Sequence, residues 1–111
     1  MSVGRIIFVP IWDTRLYIYY GPFAAFVKWL RKNGFDDTRF IEENEPSGCR
    51  IATTYSKKDG RQIISSRDPM DNPSLVHELS HAAHGILRAR GVSDEEAFAY
   101  TLEYLYTEAT K

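Results

Sequence analysis

The 111-residue sequence predicts an α+β domain, a small twisted sheet packed against three helices. Two stretches, 5–20 and 49–66, carry β-rich or alternating apolar residues and read as strands. Three others, 22–33, 73–89 and 94–109, repeat apolar residues at helical spacing. Hydrophobic residues make up 43% and aromatics 14%. That is enough for a core at this length without disulfides, so residues 1–111 are expected to form a single domain.

The first strand region begins with Ile6, Ile7, Phe8 and Val9, and then Leu16, Ile18 and Tyr20 alternate with Tyr17 and Tyr19. Pro10 and the Asp13-Thr14 pair break it into two short strands or one bent strand. Gly21-Pro22 ends it, and Pro22 suits the first turn of a helix. That helix sets Phe23, Phe26, Val27 and Leu30 on one stripe, turns Lys28, Arg31 and Lys32 outward, and stops at Asn33-Gly34. The aromatic-rich first third, Trp12 to Trp29, is expected to be core and one sheet face.

Residues 36–48 are acidic and hold Pro46, Ser47 and Gly48, so they read mostly as loop, with room for a short element at Arg39-Phe40-Ile41. A hairpin follows. Cys49, Ile51, Thr53 and Tyr55 alternate with Arg50, Ala52 and Thr54, the turn is Lys57-Lys58-Asp59-Gly60, and Arg61 to Ser66 returns. Asn72 is then placed to cap a helix whose first residue is Pro73. Leu75, Leu79, Ala82 or Ala83, and Ile86 form its core stripe, and Gly91 stops it. Ser93 is placed to cap the last helix, with Phe98, Leu102 and Leu105 inward.

Composition narrows the function. Fourteen Lys+Arg face 15 Asp+Glu for a net charge of −1, which leaves no basic field for nucleic acid. No 18-residue apolar run is present to span a membrane. The start, Met1 to Arg5 and the run broken by Pro10, lacks the features of a signal peptide. The one cysteine, Cys49, has no internal partner; it is expected to be a small buried residue in a reducing, cytoplasmic setting.

The informative stretch is His77-Glu78-Leu79-Ser80-His81. Residues four apart share a helix face, so two imidazoles one turn apart are placed to clasp one ion. Imidazole nitrogen suits Zn²⁺ at about 2.0–2.1 Å. Glu78, about 100° around the helix, is placed to reach a metal-bound water without ligating. Two ligands and a general base on one rigid rod are the mechanical content of the HExxH motif. By composition the motif arises by chance in roughly a few per thousand chains of this length. The bland alternative is two surface histidines on a solvated helix face.

A catalytic zinc needs a third protein ligand and an open position. His84 lies about 10.5 Å along the axis from His77, too far for one helix to bring all three residues onto one ion. The acids of the last helix are Glu95, Glu96, Glu103 and Glu108, and Glu96, Tyr100 and Glu103 share one face. The bland reading of Glu96 is a capping box with Ser93.

From His77 to Tyr106 the sequence resembles the small HExxH proteins of phages and prophages, the minigluzincin-like zincins. The resemblance rests on the HExxH helix, its stop at Gly91-Val92, and a following helix that opens Glu96-Ala97-Phe98-Ala99-Tyr100. It covers about the last third of the chain. It implies a minimal zincin-like arrangement, with the HExxH helix followed by a ligand helix and Glu96 as third zinc ligand. A tight antiparallel pairing of the two helices would bring Glu103 nearer in level, so Glu103 stands as the substitute. The expected function is that of a zinc metallopeptidase holding one Zn²⁺ on His77, His81 and Glu96. Glu78 would be the base and Tyr100 the donor to the oxyanion, with a peptide or protein as substrate in the cytoplasm, a host's if phage-encoded. One strand would line the cleft as a sheet edge and pair with extended peptide. The alternatives are a zincin-fold binding protein that keeps the metal without turnover, and a structural metal site that includes His84 or Cys49.

Overall fold

The computed structural model describes residues 2–43 and 52–111. The acidic loop from 44 to 48, Cys49 and Ile51 lie outside the described residues. The elements are β1 (Val3–Val9), a 3-10 turn (Pro10–Trp12), β2 (Thr14–Tyr20), α1 (Phe23–Lys32) and α2 (Arg39–Glu42), then β3 (Ala52–Ser56), β4 (Gln62–Ser66), α3 (Asn72–Ala89) and α4 (Glu95–Ala109). The fold is α+β, as expected, with the short α2 as a fourth helix. Asp13, at φ 46°, makes the break between β1 and β2.

The strands form one mixed sheet in the order β1-β2-β4-β3. β1 pairs antiparallel with β2, β2 parallel with β4, and β4 antiparallel with β3. Among the described residues the edges are therefore β1 and β3. Both faces of the central strands are covered. Tyr17, Tyr19, Ile63 and Tyr55 pack with Phe26, Val27, Leu30, Phe35 and Ile41 on the α1 side. Leu16, Ile18, Ile64, Ile7 and Val9 pack with Leu75, Leu79, Ala82, Ala83, Ile86 and Leu105 on the other. Burial on both faces is why β2 reads as an almost unbroken apolar run.

The helix stops fall where expected. Gly34 at φ 94° and Gly91 at φ 69° supply the left-handed residue. Phe35 N–H then bonds Leu30 O at 3.1 Å, and Val92 N–H bonds Leu87 O at 2.9 Å, closing each last turn. The helix starts differ by one residue. Asp71, not Asn72, caps α3, its Oδ1 accepting from Ser74 N–H at 2.9 Å. Asp94, not Ser93, caps α4, its Oδ2 accepting from Ala97 N–H at 2.9 Å. Either neighbour has a capping side chain, and the backbone register chose the aspartate. With Asp94 as cap, the box position three residues on is Ala97, and Glu96 has no capping role.

The rotation of α4 is set by distant parts of the chain. Trp12 Nε1–H donates to Thr101 Oγ1 at 2.8 Å, and Tyr104 O–H donates to Phe8 O at 2.9 Å. Arg5 donates to the carbonyls of Ala109 and Glu108 at 2.8 and 2.7 Å, satisfying the end of α4 with a cation. These bonds turn Thr101 and Leu105 inward; both are buried.

Candidate metal centre

The core stripe of α3 fixes what its other faces present. Leu75, Leu79, Ala82, Ala83 and Ile86 are all buried against the sheet. At about 100° per residue, His77, His81, His84 and Arg88 then fall on the side away from that stripe, and Glu78 and Gly85 fall on its flank. The flank abuts β3 and β4. A β-carbon on Gly85 would stand 2.3 Å from the Gln62 side chain, so glycine is what lets α3 approach the sheet here.

His77 and His81 meet edge to face, with ring centres 4.8 Å apart and planes at 84°. Their Nε2 atoms are 3.3 Å apart. Two nitrogens bound to one tetrahedral zinc at about 2.0–2.1 Å stand about 3.3–3.4 Å from each other. The pair is thus already at the spacing that a shared ion requires.

Glu78 is held, not free. Its side chain is 11% exposed, against 68% for His77. Thr54 Oγ1–H donates to Glu78 Oε1 at 2.7 Å. The other oxygen, Oε2, lies 3.9 Å from His77 Nε2. One carboxylate oxygen is therefore anchored to the sheet while the other lies toward the imidazole pair. The alternation of the hairpin places Thr54 opposite Tyr55 but carries no sign that it would meet Glu78. Only the seating of α3 on β3 shows it.

These groups line a cleft of about 560 Å³ between α3 and β3, with Thr54 and Ser56 on the strand and His77, Glu78, His81 and His84 on the helix. The strand that lines it, β3, is a sheet edge. His84 stacks on Phe98 with ring centres 4.2 Å apart and also lines a neighbouring cavity with Asp94 and Glu95.

The structure does not bring Glu96 or Tyr100 to this cleft. Glu96 and Glu103 are both exposed. They sit about 180° and 160° around α4 from the fully buried Leu105, on the helix's outer side. Tyr100 is 65% exposed and lines a separate apolar cavity with Val9, Pro10, Ile11 and Trp12. The cause is the bonding of Thr101 and Tyr104 to the β1–β2 region, which fixes the helix's rotation. Glu95, at the start of α4, lines the neighbouring cavity with His84. Among the described residues no three His, Cys, Asp or Glu side chains gather as a metal site.

No family model, curated protein or solved structure matches this chain. The functional reading therefore rests on the geometry of the cleft. Among the described residues no helix is long and apolar enough to cross a membrane.

Proposed function

We propose that the cleft is the site of a zinc-dependent peptidase, with His77 and His81 as metal ligands and Glu78 as general base. The observation that carries this is the 3.3 Å spacing of the two Nε2 atoms beside a carboxylate that keeps one oxygen unanchored. A bound zinc would supply Lewis acidity toward water and the scissile carbonyl. The chain's own residues do the rest. Glu78 Oε2 takes the proton of the attacking water and passes it to the leaving amine. Thr54 holds the carboxylate in place through Oε1. The edge of β3 offers backbone donors and acceptors to an extended peptide. His84 lines the cleft one turn beyond His81, whereas Tyr100 does not line it, and His84 is the donor to the oxyanion.

Glu96 is the third ligand that the resemblance to minigluzincin-like zincins nominates, and its carboxylate lies outside the cleft. Metal analysis of Glu96→Ala and Glu103→Ala beside wild type tests that role directly. Zinc lost in Glu96→Ala or Glu103→Ala makes that residue the third ligand; zinc kept in both and lost in His81→Ala puts the third ligand at neither. The outward placement of Glu96 and Glu103 favours a second reading, a metal-retaining binding protein without turnover. Cleavage of unstructured protein substrates, with zinc added or chelated, decides between the two. Zinc-dependent cleavage that disappears in Glu78→Gln supports the peptidase. Absence of cleavage by zinc-loaded wild type rejects it.

A further inference from the structure

The histidine cleft continues beyond its catalytic groups. It runs along β3 past Ser56 and Gly85 to Arg88. A depression of about 410 Å³ extends it, lined by Ser56, Lys57, Lys58, Gly85, Arg88 and Ala89. Three cations thus gather where the β3–β4 turn meets the last turn of α3. Lys57 holds its Nζ 4.5 Å from the centre of the Phe40 ring. Lys58 and Arg88 are exposed, and neither makes an ion pair among the described residues.

The acid in that turn is already engaged. Asp59 Oδ2 accepts from Arg61 Nε–H at 2.9 Å, and Oδ1 accepts from Arg61 N–H at 3.0 Å. Burial pushes the Asp59 carboxyl up, but the hydrogen bonds and charge of Arg61, with a smaller contribution from Lys57, outweigh it and hold the group below the usual aspartate range. Asp94 and Glu95 approach Arg88 from the other side, in the cavity shared with His84, and do not line this one. Among the described residues no acid lines the depression, whose charged lining is Lys57, Lys58 and Arg88.

We infer that this cationic end is a specificity subsite, in which Arg88 and Lys58 receive a carboxylate of an extended peptide lying along β3. Arg88 follows His81 by about 10 Å along the helix, and an extended chain covers that distance in about three residues. The carboxylate is therefore carried about three residues from the part of the peptide level with His81. It is an Asp or Glu side chain or the peptide's own C-terminus. The inference rests on the peptide-cleft reading above, and its test does not depend on turnover.

The probes are fluorescein-labelled ten-residue peptides of one neutral sequence. One set has Glu or Gln three residues to either side of the centre, and the other has a free or amidated C-terminus. They are titrated by fluorescence polarisation onto the full chain carrying Glu78→Gln, in the presence of zinc. One carboxylate form should bind about tenfold more tightly than its neutral counterpart, and the advantage should shrink in high salt. The arm that shows the gain identifies the carboxylate. Adding Arg88→Ala with Lys58→Ala should abolish the preference, and Arg88→Glu with Lys58→Glu should transfer it to a Lys-bearing peptide. Circular dichroism checks that these surface variants fold. Equal binding of all peptides, binding of none, or a preference that survives the double substitution would overturn the subsite. Cleavage by wild type without charge preference removes the subsite and keeps the peptidase. Charge preference without cleavage does the reverse.

Discussion

Thr54 on the edge strand donates a 2.7 Å hydrogen bond to Glu78 on α3, so the Glu78 carboxylate is aimed by the sheet as well as by its own helix. If Glu78 is the base of a peptidase, Thr54 is a positioning residue: it holds Oε1 while Oε2 lies toward His77. Thr54→Val keeps the shape and removes the donor. It should lower kcat about tenfold with KM and bound zinc little changed, because the bond aims the base rather than holding substrate. Thr54→Ser should restore most of the rate. A Thr54→Val enzyme with wild-type kcat would show that the bond does not serve catalysis.

His84 separates a ligand from an oxyanion donor. His84→Phe keeps an aromatic ring over Phe98 and removes both ring nitrogens. If His84 serves the oxyanion, kcat should fall on the order of 10²-fold while zinc stoichiometry is unchanged. Loss of zinc in this variant, measured by metal analysis, would make His84 a ligand instead.

Gly85 sits where α3 comes closest to the sheet. Gln62 is fully buried, and its Nε2 donates to Ser56 Oγ at 2.9 Å and to Gly60 O at 3.0 Å. A methyl at residue 85 would meet that amide at 2.3–2.6 Å. Alanine gains about 1 kcal/mol of helix propensity but forces the amide off its partners, at a cost of about 1–3 kcal/mol for each buried group left unpaired. Gly85→Ala should therefore lose about 1–3 kcal/mol in urea unfolding. Gln62→Ala in the same chain should recover part of that loss. Additive losses from the two substitutions would mean that they do not meet.

The Asp71 cap gives a pH test. The Ser74 side chain and amide hold the Asp71 carboxyl below the usual aspartate range. A group whose folded value is lowered stabilises the fold above its unfolded value, near 3.9, and loses that contribution as pH falls through the folded value. Asp71→Asn keeps a capping oxygen but does not titrate. Wild type should melt at a higher temperature than Asp71→Asn at neutral pH, and the gap should close below about pH 3. A gap that does not change with pH would mean that charge plays no part in the cap.

The sequence by itself determined what depends on near neighbours along the chain. His77, Glu78 and His81 are related by helix geometry alone, so their convergence on one cleft was legible from a spacing of four. The glycine stops at Gly34 and Gly91, the hairpin turn at Lys57 to Gly60 and the core stripe of α3 are local in the same sense. The identity of each cap was legible only to within one residue, since Asp71 and Asn72, or Ser93 and Asp94, offer the same chemistry. What tertiary structure decided is everything fixed by contacts across the chain. Trp12 to Thr101 and Phe8 to Tyr104 set the rotation of α4 and turned Glu96 and Tyr100 away from the histidines. Strand order made β3 the edge beside the cleft and brought Thr54 to Glu78. No helical or strand period encodes such a rotation or strand order, because each is selected by packing and hydrogen bonds between elements that the sequence separates.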